Sequence, residues 1–93
     1  MPKKVIRINL EELHEISLPE KSAVRLLAEI LRFYKIEAKA IYGVNPDVEQ
    51  VITLNPDGTL GYVDVDIDAE LRSCEIVVEL FDGYETAYAC ISQ

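Results

Sequence analysis

The segment 17–35 reads SLPEKSAVRLLAEILRFYK and contains the clearest secondary-structure signal in the chain. Its apolar residues recur at helical spacing, which predicts one amphipathic helix with a wide apolar face. Ser17 and Glu20 have the spacing of a capping box, and Pro19 is compatible with the first turn of a helix. The apolar stripe is wide enough to cover a sheet, and it comprises Ala23, Leu26, Leu27, Ile30, Leu31, Phe33 and Tyr34.

Around this helix, apolar and polar residues alternate with the period of two that is typical of β-strands. The alternation predicts strands at 4–10, 36–42, 48–54, 60–67, 74–81 and 84–91. Asn55-Pro56-Asp57-Gly58 is typical of a type I turn followed by a glycine bulge, and it predicts a hairpin between the third and fourth strands. Asp82-Gly83 predicts a second hairpin between the last two strands.

The predicted element order is therefore β-α-β-β-β-β-β, in a single α+β domain that spans residues 1–93. We expect one main helix packed on an antiparallel β-sheet meander. This element order is similar to that of cystatin-type folds, in which a curved sheet wraps a helix. The resemblance concerns element order alone and implies no function.

Charge is distributed unevenly along the chain, whose formal net charge is −8. Residues 1–43 hold eight Lys or Arg and six Asp or Glu, whereas residues 44–93 hold one arginine and eleven acidic residues. The acidic half either keeps a small domain soluble or forms a surface for a basic protein partner. Its sign argues against direct binding of nucleic acid and against an anionic membrane surface. Without a signal-peptide pattern or a long apolar run, we expect a cytoplasmic protein.

The segment 61–68 alternates strictly, so that Val63, Val65 and Ile67 face the core of the predicted strand and the aspartates between them face outward. Neighbouring carboxylates on such a strand are about 7 Å apart. That spacing is too wide for three ligands of one calcium ion, which disfavours a metal site. A solvated face and a protein-binding stripe remain as the two main interpretations.

Pairing across the predicted turn at 55–58 places Leu54 opposite Leu60 and Ile52 opposite Tyr62. These four residues would lie on the same sheet face as the aspartates. An apolar patch beside an acidic row is typical of an interface. The alternative is that another element covers the four residues.

Two cysteines, Cys74 and Cys90, flank the last predicted hairpin. A two-residue loop that pairs Phe81 with Tyr84 would place the thiols on opposite faces, and we favour this register. A three-residue loop would place Cys74 directly across from Cys90 and would permit a disulfide. It would also set Glu79 against Glu85, a like-charge pair. Inert buried thiols are the favoured interpretation, with a disulfide as the alternative.

A second candidate interface lies on the last two predicted strands, where Tyr84, Tyr88 and Phe81 share a face with Glu75 and Glu79. Tyrosine is common in interfaces because it supplies a large contact area at a low entropic cost. The complete set of candidate partner-binding residues is Asp64, Asp66, Asp68, Tyr62, Ile52, Leu54, Leu60, Glu75, Glu79, Tyr84 and Tyr88.

The chain contains none of the common catalytic or phosphate-binding motifs, and its one histidine, His14, is predicted to lie on the surface. We therefore predict no catalytic residue, no metal site and no cofactor. The favoured function is a small acidic protein-binding module that docks its sheet on a basic protein surface, as an inhibitor or antidote of a nucleic-acid-binding protein does. The alternatives are a ligand-binding or enzymatic domain with a pocket between helix and sheet, and a structural subunit of a homo-oligomer such as a homodimer.

Overall fold

Six strands and two helices make up the computed structural model, which describes residues 4–9, 22–45, 50–83 and 85–91. None of the helices within these ranges is long and apolar enough to cross a membrane. In chain order the elements are β1 Lys4–Asn9, α1 Ala23–Phe33, β2 Ala40–Asn45, β3 Gln50–Leu54, β4 Leu60–Val63, α2 Ile67–Arg72, β5 Ile76–Phe81 and β6 Thr86–Ile91.

The strands form one sheet in the order β1-β5-β6-β2-β3-β4, which confirms the predicted α+β class. The sheet is mostly antiparallel, but β1 pairs in parallel with β5, and the prediction of a purely antiparallel meander is wrong in this respect. Only β2-β3-β4 follow each other as a meander. The β5–β6 hairpin lies between β1 and β2, because α1 carries the chain from the β1 edge across the sheet to β2.

Helix α1 packs on one face of the sheet, called the α1 face, and encloses the main core. Side chains from α1, β5 and β6 meet there, and Gly43 of β2 lets the helix approach closely. A Cβ at Gly43 would overlap Cγ2 of Val24 and lie 3.0 Å from Cγ1 of Ile52. The buried members of this core are Ala23, Val24, Leu26, Leu27, Leu31, Val78, Leu80, Ala87, Ala89 and Ile91.

Both ends of α1 differ from the prediction. It starts after Ser22, whose backbone is extended, and the predicted capping residues Ser17 and Glu20, like His14, lie outside the described residues. At the other end, Phe33 and Tyr34 were expected in the buried stripe but are 79% and 67% exposed. They lie where the helix ends, so they no longer face the sheet.

Helix α2 replaces the end of a predicted strand. The fourth strand was expected to span 60–67 but stops at Val63, and the chain turns into α2. Asp66 causes this change, because its side chain accepts hydrogen bonds from the backbone N–H groups of Asp68 and Ala69, as an N-cap residue does. The second strand is also displaced, and it begins at Ala40 rather than at residue 36.

The turn between β3 and β4 forms as predicted. Leu54 stands opposite Leu60 and Ile52 opposite Tyr62. Gly58 adopts the left-handed φ of 90° that the glycine bulge requires. The Asp57 carboxylate accepts hydrogen bonds from the hydroxyl and the backbone N–H of Thr59, and these bonds lower the pKa of Asp57 below its usual value.

The last hairpin has a register that neither sequence-based alternative contains. Phe81 pairs with Thr86, so the loop has four residues, 82–85. Asp82 closes it, because its carboxylate accepts from the backbone N–H of Glu85 at 2.8 Å while its own N–H donates to the Glu85 carbonyl. The favoured two-residue loop is therefore wrong, and Val77 rather than Glu75 faces Cys90.

Cys74 and Cys90 form a disulfide with a Cα–Cα distance of 5.5 Å, so the favoured interpretation as two free thiols is wrong. Cys74 lies before β5 rather than in it, between α2 and the strand, and reaches β6 from there. Disulfides are rare in reducing compartments, and the cytoplasmic location stays a prediction.

Candidate functional site

The sheet face opposite α1 carries α2 and is called the α2 face. Along β2, β5 and β6, every second residue points to the α2 face, and the residues between them point to the main core. A second, smaller core lies there around the disulfide, and Leu71 is the α2 residue that packs on it. The members of this smaller core are Cys74, Val77, Cys90, Ala40, Leu71 and Tyr88.

An ionic and hydrogen-bonded group links the first, fifth and sixth strands on the α2 face. Nε of Arg7 lies 3.0 Å from Oε2 of Glu79, and Tyr88 stands directly opposite Glu79 on β6. The negative charge of Glu79 acts on the Tyr88 hydroxyl and raises its pKa. Because the Arg7 side chain is 75% exposed, the ion pair contributes no more than about 1 kcal/mol to stability.

Both described tyrosines of the α2 face are shifted toward the protonated form. Burial raises the pKa of Tyr88 above its ordinary value of 10.0, and the negative charges of Glu79 and Asp68 raise it further, whereas Arg7 lowers it. Burial also raises the pKa of Tyr42, with a further contribution from Glu70. The Tyr42 hydroxyl donates to Glu70 of α2 over 3.2 Å and so joins the helix to the sheet.

A groove of about 420 Å³ runs between α2 and the strands β1, β5 and β6. Its floor is apolar, and its rim carries two arginines and two carboxylates. This volume falls within the range of small-ligand sites, although the groove is open to solvent along its length. The lining residues are Val5, Arg7, Asp68, Leu71, Arg72, Val77, Glu79 and Tyr88.

The predicted row of strand carboxylates is not formed. The strand ends at Val63, so Asp64 precedes α2, Asp66 caps it and Asp68 lies in its first turn. Asp64, Asp66 and Asp68 are nevertheless exposed. Asp68 lies on the α2 side of the sheet, where its charge acts on Tyr88, whereas Asp64 lies beside Tyr62 and Val63 at the end of β4. The three side chains therefore do not form a row on the outward face of a β4 that continues to residue 67.

The predicted apolar patch is divided between buried and exposed residues. Ile52 and Leu54 are half-buried against the main core on the α1 face, so the covering element is α1 itself. Their strand partners Tyr62 and Leu60, on the edge strand β4, are 76% and 39% exposed. Tyr62 lines a shallow pocket together with Asp64, so this part of the patch does lie beside one of the predicted acids.

The second predicted interface agrees better with the described positions. Phe81, Glu79 and Tyr88 share the α2 face, and Glu75 lies exposed just before β5 with the same alternation. Tyr84 lies outside the described residues. Phe81 is 37% exposed, so an apolar ring accompanies the polar groups at this end of β5.

Sequence reasoning did not identify Arg7, Arg72 or Tyr42 as part of this surface. Arg7 meets Glu79 across a separation of 72 residues, and no local pattern encodes that parallel pairing. Tyr42 reaches Glu70 only because α2 exists. The signal for α2 was present in the chain, since Asp66 precedes helix-forming residues at 69–72.

Charge differs across the sheet. Residues 60–80, which include α2, hold six acidic residues and one arginine, a formal charge of −5. Residues 22–39, which include α1, hold four basic and two acidic residues, a formal charge of +2. The segment around α2 is therefore acidic and the segment around α1 is basic, although Arg7 adds one positive charge to the α2 face.

Comparison of the chain with protein-family models, with curated proteins and with solved structures finds no match.

Proposed function

We propose that this protein is a small binding module whose α2 face docks on a basic surface of another protein. The observation that carries the proposal is the concentration of acidic side chains on that face, with tyrosine and aliphatic side chains between them. Opposite charge speeds association and makes it sensitive to salt. The apolar floor of the groove adds area that can be removed from water on docking.

The two arginines of the groove reduce the negative potential that a basic partner meets there. Arg7 is paired with Glu79, so this carboxylate contributes less negative potential than the exposed acids of the α2 segment. We therefore assign the main electrostatic contact to Asp68 and to Asp64, which lies just before α2, since both are exposed, and the apolar contact to the groove floor.

The test compares two variants of equal charge. Asp64→Asn with Asp68→Asn removes two exposed negative charges at α2, and Glu29→Gln with Glu37→Gln removes two exposed negative charges at α1. Each immobilised variant and the unmodified chain are used to capture proteins from lysate at low and at high salt. We expect the unmodified chain and the Glu29/Glu37 variant to retain the same basic protein at low salt, and the Asp64/Asp68 variant to lose it.

Equal loss with both variants would mean that net charge alone causes retention, and it would contradict a defined site. Retention that survives high salt unchanged would contradict the electrostatic basis of the proposal.

A second candidate function is binding of a small molecule, and the groove is the observation that favours it. The groove combines an apolar floor with Arg7 and Arg72, and with Asp68 and Glu79. These groups suit a small zwitterion with an apolar body, such as a free amino acid. Addition of leucine should then move the NMR signals of Val77 and Tyr88, whereas addition of N-acetyl-leucine amide, which carries neither charge, should not. No shift with leucine would remove this candidate.

A further inference from the structure

The attachment of α2 to the sheet depends on few contacts. None of its six residues is buried. Glu70 accepts one hydrogen bond from Tyr42, and Leu71 packs on the smaller core. An isolated helix of this length is unstable in water, so α2 persists only while it is held against the sheet.

The disulfide supplies the covalent part of that attachment. Cys74 follows α2 by two residues, and its backbone N–H donates to the carbonyl of Leu71, so the cysteine continues directly from the last turn. Its bond to Cys90 fixes this end of α2 to a central strand of the sheet. The sheet itself does not need the bond, since β6 pairs with β5 on one side and with β2 on the other.

We propose that the Cys74–Cys90 disulfide is a redox-sensitive lock that holds α2, and with it the acidic surface, on the sheet. Reduction by a dithiol releases the helix while the sheet and α1 stay folded. Where it concerns partner binding, this inference rests on the proposed function. Its structural step concerns the isolated chain and stands apart from any partner.

The chemistry is ordinary thiol–disulfide exchange. A thiolate of the dithiol attacks one sulfur, the Cys74–Cys90 bond breaks, and a mixed disulfide forms. The second thiol of the reagent then closes its own disulfide. The dithiol loses two electrons and two protons, and both appear on the Cys74 and Cys90 thiols.

Access to the sulfurs couples the exchange to movement of α2. Cys74 and Cys90 are 3% and 5% exposed, and Leu71 is part of their cover. A thiolate reaches the two sulfurs when α2 moves away from the sheet. Reduction then breaks the Cys74–Cys90 bond, so the helix is no longer held against the sheet. The oxidised and reduced chains therefore differ in the position of α2.

Amide hydrogen exchange of the full chain, with and without dithiothreitol, tests the lock. We expect exchange in residues 67–72 to accelerate by about tenfold or more on reduction, whereas amides of β2, β5 and β6 stay protected. Unchanged exchange in 67–72 after complete reduction would overturn the proposal. General loss of protection in the sheet would overturn it too, because the bond would then support the whole fold.

Two variants separate the lock from the other contacts of α2. Cys74→Ala with Cys90→Ala should reproduce the reduced exchange pattern without any reagent. Tyr42→Phe removes the hydrogen bond to Glu70 but keeps the disulfide, and its α2 should still respond to dithiothreitol. If the Tyr42→Phe chain exchanges fully in 67–72 while oxidised, the hydrogen bond and not the disulfide is the lock. Because no partner takes part, failure of partner capture leaves these outcomes unaffected.

Discussion

Tyr88 stands directly opposite Glu79 on neighbouring strands, and the Glu79 carboxylate, which raises the pKa of Tyr88, also contacts Arg7. One carboxylate thus connects side chains of β1, β5 and β6 on the acidic side of the sheet. This group combines a half-buried phenol with charges of both signs, so its titration reports on the geometry of the α2 face.

Glu79→Gln should lower the pKa of Tyr88. The substitution removes the negative charge of Glu79, and this charge favours the protonated form of the Tyr88 phenol. NMR titration of the tyrosine ring carbons measures the change. Tyr42 serves as the internal control, because its carboxylate neighbour is Glu70 and its pKa should not move. Equal shifts at both tyrosines, or none at Tyr88, would contradict the assigned contact.

Stability should decrease in alkaline solution. The folded pKa values of Tyr42 and Tyr88 lie above 10.0, so the folded chain binds these protons more tightly than the unfolded chain. The two protonated tyrosines make their full contribution to folding stability below about pH 10, and this contribution is lost as the pH rises through their folded pKa values. Urea unfolding at a series of pH values measures this slope. Tyr88→Phe should reduce the slope, and an unchanged slope would show that Tyr88 does not contribute to it.

Gly43→Ala should destabilise the packing of α1 on the sheet. The added methyl group overlaps Val24 and approaches Ile52, and overpacking of this kind costs about 1–3 kcal/mol. Gly61→Ala is the matched control on β4, since its nearest neighbour would be the Asn55 side chain at 3.4 Å. Its free energy of unfolding should change by less than about 0.5 kcal/mol. Similar losses in both variants, measured by urea unfolding, would argue against the close approach at Gly43.

Asp66→Ala should weaken α2. The substitution removes the side chain that accepts from the N–H groups of Asp68 and Ala69, and loss of such a cap costs about 1 kcal/mol of helix stability. Asp66→Asn keeps a capping oxygen and removes the same charge, so it is the control. Amide exchange in residues 67–72 should rise in Asp66→Ala and much less in Asp66→Asn. The same rise in both variants would assign the effect to charge.

The elements that sequence reasoning placed well depend on local signals. The β3–β4 turn was predictable because Pro56 presets its backbone and Gly58 accepts a left-handed φ. The register of that hairpin followed from the turn. Helix α1 was predictable from its apolar spacing, although its exposed end at Phe33 and Tyr34 was not, because periodicity does not mark where the sheet beneath a helix ends.

The elements that sequence-based prediction missed depend on two patterns that compete within one segment, or on contacts between residues that are distant in the chain. The alternation of valines and aspartates at 61–68 is a good strand pattern, and it concealed the capping role of Asp66. The last register depended on how Asp82 bonds to Glu85, which changes the loop by two residues. The parallel pairing of β1 with β5 and the disulfide join residues that only the assembled sheet brings together. The acidic character of residues 60–80 was visible in the sequence, but the sequence did not show on which side of the sheet α2 would lie.

The parallel pairing of β1 has a consequence for synthesis on the ribosome. Its only strand partner in the described sheet is β5, so β1 must wait for residues 76–81 before it can pair. The β2-β3-β4 meander and α1 can assemble during that interval, since their contacts are closer in sequence. β1 exposes Val5 and Ile6 even in the finished sheet. The edge of β1 therefore stays open to aggregation until residues 76–81 are available to cover it.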